Sequence, residues 1–120
     1  MEAGVGGDKT SPGSTIVWGE PRFIRRRVLH ALSRRHRYLY VQPQVSLHRG
    51  GWLVTCPCCS RNVNPQGGVI DIALLMRDTK SWLLFAKQHP DGRWQLKYVD
   101  EDLDAVLDML CHDPLRVFWP

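Results

Sequence analysis

Val69–Val99, VIDIALLMRDTKSWLLFAKQHPDGRWQLKYV, is the stretch whose reading decides the fold. It contains three strand-like runs separated by two short polar clusters. Val69–Met76 is apolar except for Asp71 and reads as a buried strand. Asp78-Thr79-Lys80 turns the chain into a second strand, Ser81–Lys87. His89-Pro90-Asp91-Gly92 carries Pro and Gly where turn chemistry uses them. Arg93–Val99 then alternates with a period of two, which predicts Trp94, Leu96 and Tyr98 on one side and Arg93, Gln95 and Lys97 on the other. Connections this short join antiparallel neighbours, because a parallel crossover needs a dozen residues or more. The stretch is therefore predicted to be a three-stranded antiparallel meander.

Upstream, Cys56–Gly68 (CPCCSRNVNPQGG) is a loop by composition. Before it, Trp52–Thr55 reads as a strand, Arg49-Gly50-Gly51 as a turn, and Tyr38–Leu47 as a strand that Pro43 confines to a sheet edge or a bulge. Pro21–His36 reads as a helix. Pro21 suits its first turn, and Phe23, Ile24, Val28, Ala31 and Leu32 form an apolar stripe. Downstream, Asp100, Glu101 and Asp102 supply an acidic, capped start for a second helix. Leu103, Val106, Leu107 and Leu110 form its inward face, Asp113-Pro114 ends it, and Val117-Phe118-Trp119 makes an apolar plug. The expected architecture is α+β: an N-terminal helix, an antiparallel β-meander of about five strands and a C-terminal helix. Residues 1–15 are small and polar and are expected to form a flexible tail, leaving a single domain over residues 16–120.

Composition bounds the function. The chain has 120 residues, 43% hydrophobic and 23% charged, which is ordinary globular usage. No apolar run is long enough to span a bilayer, and Met1–Ser14 lacks the apolar segment of a signal peptide. A cytoplasmic setting with reduced cysteines is expected. The net charge of +4 is unevenly distributed. Between Glu20 and Gly50 there are eight arginines (Arg22, Arg25, Arg26, Arg27, Arg34, Arg35, Arg37 and Arg49) against Glu20 alone. From Pro90 to Pro120 seven acids face Arg93, Lys97 and Arg116. A basic front half points to an anionic partner or to contact with the chain's own acidic end.

Several residues of the second half form a pattern. They are Ile72-Ala73, Trp82 with Phe85, Trp94 with Tyr98, the leucines from Leu103 to Leu110, and Asp113-Pro114 with Phe118-Trp119. Together they resemble a bacterial family described as a domain of unknown function. The basic helix followed by YVQPQVSL fits the same outline. The chain departs from the pattern by ending in Pro120 where glycine is usual and by carrying the CPCC loop. These are structural aromatics, so the resemblance implies a shared scaffold and transfers no chemistry. Some relatives occur on plasmids and integrated elements, which implies an alternative role as a protein-interaction or accessory module of a mobile element.

Four constellations carry candidate chemistry. Cys56, Cys58 and Cys59, with Cys111 and His112 far along the chain, suggest zinc. Their C-x-C and C-C spacings fit poorly, because tetrahedral sites use C-x-x-C pairs, and buried thiols are the plainer explanation. Asp71 and Lys87 resemble part of a restriction-type nuclease core, but Phe85 stands where its second acid belongs, leaving a strand-edge acid and a solvent-facing lysine. Trp82, Trp94, Trp119 and Tyr98 fit the core better than a ligand groove. The arginine-rich helix is the strongest candidate: Arg25, Arg26, Arg34, Arg35 and Arg37 suit a phosphate backbone, with Tyr38 and Tyr40 placed to stack on bases. The sequence thus predicts a non-enzymatic binding module without a cofactor, making weak, salt-sensitive contact with nucleic acid. The alternatives are the interaction module and a small zinc-binding protein.

Overall fold

The computed structural model describes residues 21–57, 68–88 and 91–120. The elements run α1 (Pro21–Leu32), β1 (Gln44–His48), β2 (Gly51–Pro57), β3 (Val69–Arg77), β4 (Trp82–Lys87), β5 (Trp94–Asp100) and α2 (Leu103–His112). The five strands form one sheet in the order β1-β2-β3-β4-β5, with every neighbouring pair antiparallel. The fold is α+β, as expected. The expected tail, residues 1–15, lies outside the described residues, as do Cys58 and Cys59.

Both helices cover one face of the sheet: α1 lies beside β1, α2 beside β4 and β5, and the two helices touch. The core between these layers contains Ile24, Val28 and Leu32 from α1, Val54, Leu75 and Leu84 from the sheet, and Val106, Leu107 and Leu110 from α2. Turn chemistry fixes the hairpins. Arg49 (φ +53°) and Gly50 (φ +77°) are both left-handed, the geometry of the two-residue turn that matches strand twist. Gly51 lies against β3 so closely that a Cβ there would sit 2.5 Å from the Leu75 carbonyl oxygen. At the next hairpin, the Asp78 carboxylate accepts from the Lys80 and Ser81 N–H groups. Those two bonds hold its carboxyl below the ordinary carboxylate range.

Two bulges alter the expected side-chain pattern. Val54 pairs with Ala73 and Thr55 with Asp71, so Ile72 is the extra residue on β3 and both Ile72 and Ala73 are buried. On β5, Leu84 pairs with Tyr98 and Phe85 with Leu96, which makes Lys97 the extra residue. A bulge resets the two-residue alternation. Tyr98 therefore shares the helix-covered face with Leu84, while Trp94 and Leu96 share the outer face with Lys87 and Phe85. Trp94, Leu96 and Tyr98 do not all point one way, contrary to the simple alternation. The outer face carries the row Leu53, Leu74, Phe85 and Leu96, and the neighbouring row Met76, Leu83 and Val99.

Lys87 is also not simply solvent-facing. It forms an ion pair with Asp71 and lies 5.4 Å from the Trp94 ring centroid. The pair commits both groups to a cross-strand contact on the outer face.

The ends of the helices differ from expectation in one respect. The first helix stops at Leu32, not His36. Ser33, Arg34 and Arg35 donate their N–H groups to His30, Ala31 and Leu32, three residues back, which tightens and closes the turn. The second helix ends as expected, but Asp113 does more than stop it. With φ +40° it caps α2, its N–H bonding the Met109 carbonyl. Its buried carboxylate accepts from the N–H groups of Val117, Phe118 and Trp119 at 2.8–3.1 Å. Trp119 is then fully buried, its indole N–H donating to the Leu110 carbonyl. Phe118 and Trp119 form the expected plug, while Val117 remains exposed.

Candidate functional site

The exposed side of α1 is the candidate site. Apolar residues at positions 24, 28, 31 and 32 commit one face to the core, so Arg22, Arg26 and His30, four residues apart, fall on the other. Arg34 continues this line just past the helix. Arg25 and Arg27 flank it and are also exposed. The Arg25 side chain is steadied by an Nε–H bond to the Val45 carbonyl at 2.9 Å, which leaves its terminal nitrogens outside that contact. The side chains of Arg26 and Arg34 form no hydrogen bond or ion pair with another described residue.

Neutralisation by α2 is local. Arg27 meets Asp104 at 2.9 Å, with side chains 46% and 70% exposed. An ion pair this open contributes little, about 0–1 kcal/mol. It leaves most of the basic line open to solvent.

Arg35 and Tyr38, both expected on the exposed basic surface, are instead largely buried and packed into the fold. Arg35 is 9% exposed, and its guanidinium donates to the carbonyls of Leu32, Tyr38 and Val41. It also lies 5.8 Å from the Trp119 ring centroid. The chain leaving α1 thus wraps around a cation that supplies donors to carbonyls a helix would otherwise have satisfied. Tyr38 is 8% exposed, packs at a tilt on Trp119 and donates its hydroxyl to the Pro120 carbonyl. Arg35 is turned into the fold, while Tyr38, though mostly buried, also lines the pocket described next. Arg37 is half-buried and donates to the carbonyls of Asp113 and His112. Tyr40, in contrast, is fully exposed.

Sequence reasoning missed a feature where α1 gives way to this loop. A shallow pocket of ≈360 Å³ lies between the 36–40 turn and the chain end, and is lined among others by His36, Arg37, Leu39, Tyr40 and Arg116. Arg116 adopts φ +55° and stays exposed. No spacing joins it to the arginine helix, and an arginine in left-handed conformation has no sequence signature of the kind glycine gives.

The two described cysteines, Cys56 and Cys111, are both buried. Cys56 is buried on β2 opposite Ile70, within the core. Cys111 is buried on α2 and donates its thiol to the Ala31 carbonyl. Burial raises its pKa to about 11, so the thiol is neutral near pH 7. No group of three or more His, Cys, Asp or Glu side chains among the described residues is arranged to hold a metal ion. No helix among them is long and apolar enough to cross a membrane.

Comparison with known proteins adds a family and no chemistry. The family model described as Domain of unknown function (DUF3024) matches residues 19–120. No curated protein and no solved structure matches the chain.

Proposed function

The chain belongs to the DUF3024 family, and on that premise we propose that it is a non-enzymatic binding module whose α1 face contacts the phosphate backbone of nucleic acid. The observation that carries this reading is the placement of charge on α1. The helix has no acid in its first turn, and Arg22 stands there instead. A cation at that end opposes the helix dipole, an effect worth about 0.3–1 kcal/mol. Like charges four apart, as at Arg22 and Arg26, cost about 0.2–0.5 kcal/mol more per pair. Arg25 and Arg27 each make one contact with the rest of the fold, but the electrostatics of the helix itself gain nothing from cations crowded at this end. A polyanion does, because each phosphate neutralised by arginine releases condensed counterions.

Arg26 and Arg34 are the principal contacts in this reading, with Arg25 and Arg37 beside them. Binding is weak, steeply salt-dependent and poorly sequence-specific, since phosphate contacts carry no base information. A gel-shift titration of the full chain at low salt tests it. Retardation that fades as salt rises is the expected result. Absence of retardation with DNA and RNA, single- and double-stranded, ends the proposal.

A further inference from the structure

The pocket at the end of α1 narrows the ligand class. Three features converge there. Tyr40 presents a fully exposed aromatic ring, although aromatic side chains ordinarily bury much of their surface. Arg37 and Arg116 bring cationic groups to the same pocket. The basic line of α1 ends at exposed Arg34, two residues before His36 of the pocket lining.

The backbone holds Arg116 at the rim. Its N–H donates to the Asp113 carbonyl, and the Asp113 carboxylate fixes the next three residues. At φ +55° a glycine would be unstrained, yet an exposed arginine is held there. The left-handed backbone at Tyr38 is different, because that side chain is packed into the fold. Nothing comparable in the core calls for an arginine at 116.

Resting on the α1 reading above, we propose that this pocket receives one unpaired nucleotide of a single-stranded nucleic acid, its base against Tyr40 and its phosphate on Arg37 and Arg116. A duplex keeps its bases stacked inside and offers Tyr40 no π-face, whereas a single strand can turn a base outward. An acidic peptide supplies the charge but no ring to stack.

Fluorescence anisotropy with the full chain at low salt tests this. The probes are a labelled single-stranded thymidine oligonucleotide, the duplex of the same length, and poly-glutamate as competitor. The expected result is a preference for the single strand. Tyr40→Ala should weaken single-strand binding about fivefold or more and leave duplex binding unchanged, while Tyr40→Phe retains it. Arg116→Gly should also weaken single-strand binding, with a melting temperature equal to or above the parent's. Equal affinity for both oligonucleotides, with Tyr40→Ala silent, overturns the pocket assignment and leaves the α1 reading standing. Poly-glutamate competing as well as unlabelled oligonucleotide assigns the pocket to an acidic peptide and overturns it as well. Binding of no nucleic acid at all overturns both readings together.

Discussion

Helices α1 and α2 lie in the same layer and touch, but their charges follow opposite rules. In α2, Asp102 caps the N-terminus by accepting from the Asp104 N–H, Asp104 adds an acid in the first turn, and His112 stands in the last. Each choice agrees with the helix dipole. In α1 the first turn has no acid, and Arg22, Arg25, Arg26 and Arg27 crowd its N-terminal half. Both helices bury a good apolar stripe, so both fold. The termini of α2 follow the dipole, although Asp104 and Asp108 stand four apart within it, whereas the N-terminal half of α1 carries cations that its own dipole disfavours.

The first way to break this comparison is at the end of α2. Asp113→Ala removes the acceptor of three backbone N–H groups in a buried corner, and puts alanine at φ +40°. The expected loss is about 3 kcal/mol or more, read by chemical denaturation. A loss below about 1 kcal/mol would show that this corner does not anchor the fold.

A pH titration of stability probes the same layer. Cys111 has its pKa raised to about 11 in the folded chain against an ordinary value of 9.0. The folded state therefore holds this proton more tightly than the unfolded state. Its contribution is intact below pH 9 and is lost as pH rises toward 11. Cys111→Ser should shrink that alkaline loss, and an unchanged profile would remove Cys111 as its source.

Asp102→Ala comes next, with an expected cost of about 1 kcal/mol from the lost cap and no effect on nucleic-acid affinity. The smallest effect sharpens the contrast from the other side. Arg26→Glu replaces a repulsive pair with an attractive one beside Arg22, and should raise stability by a few tenths of a kcal/mol. A clear loss of stability would mean that Arg26 supports the fold.

Much of this was legible in the sequence because hydrophobic period and turn chemistry act locally. The strands of Val69–Val99, the edge position announced by Pro43 and the cap at Asp102 were all readable. The bulge at Lys97 was not, since one extra residue leaves the alternation of residue types intact while turning Trp94 to the other face. Arg35 carried a signal that its charge concealed. It stands seven residues after Val28 and three after Leu32, on the buried stripe, where it binds carbonyls of the chain folding over it. Tyr38 continues that stripe three residues later. Arg116 left no such trace, because its place opposite the 36–40 turn depends on the chain end folding back onto a segment far upstream, where Arg37 donates to the Asp113 carbonyl.

The central claim is that the outer face of α1 serves a ligand and not the fold. The affinity of Arg26→Glu/Arg34→Glu for a single-stranded oligonucleotide, measured at low salt on protein that melts no lower than the parent, tests it most directly. The account predicts a loss of about tenfold or more, with the salt slope reduced by about two. Unchanged affinity and slope in that variant would contradict it.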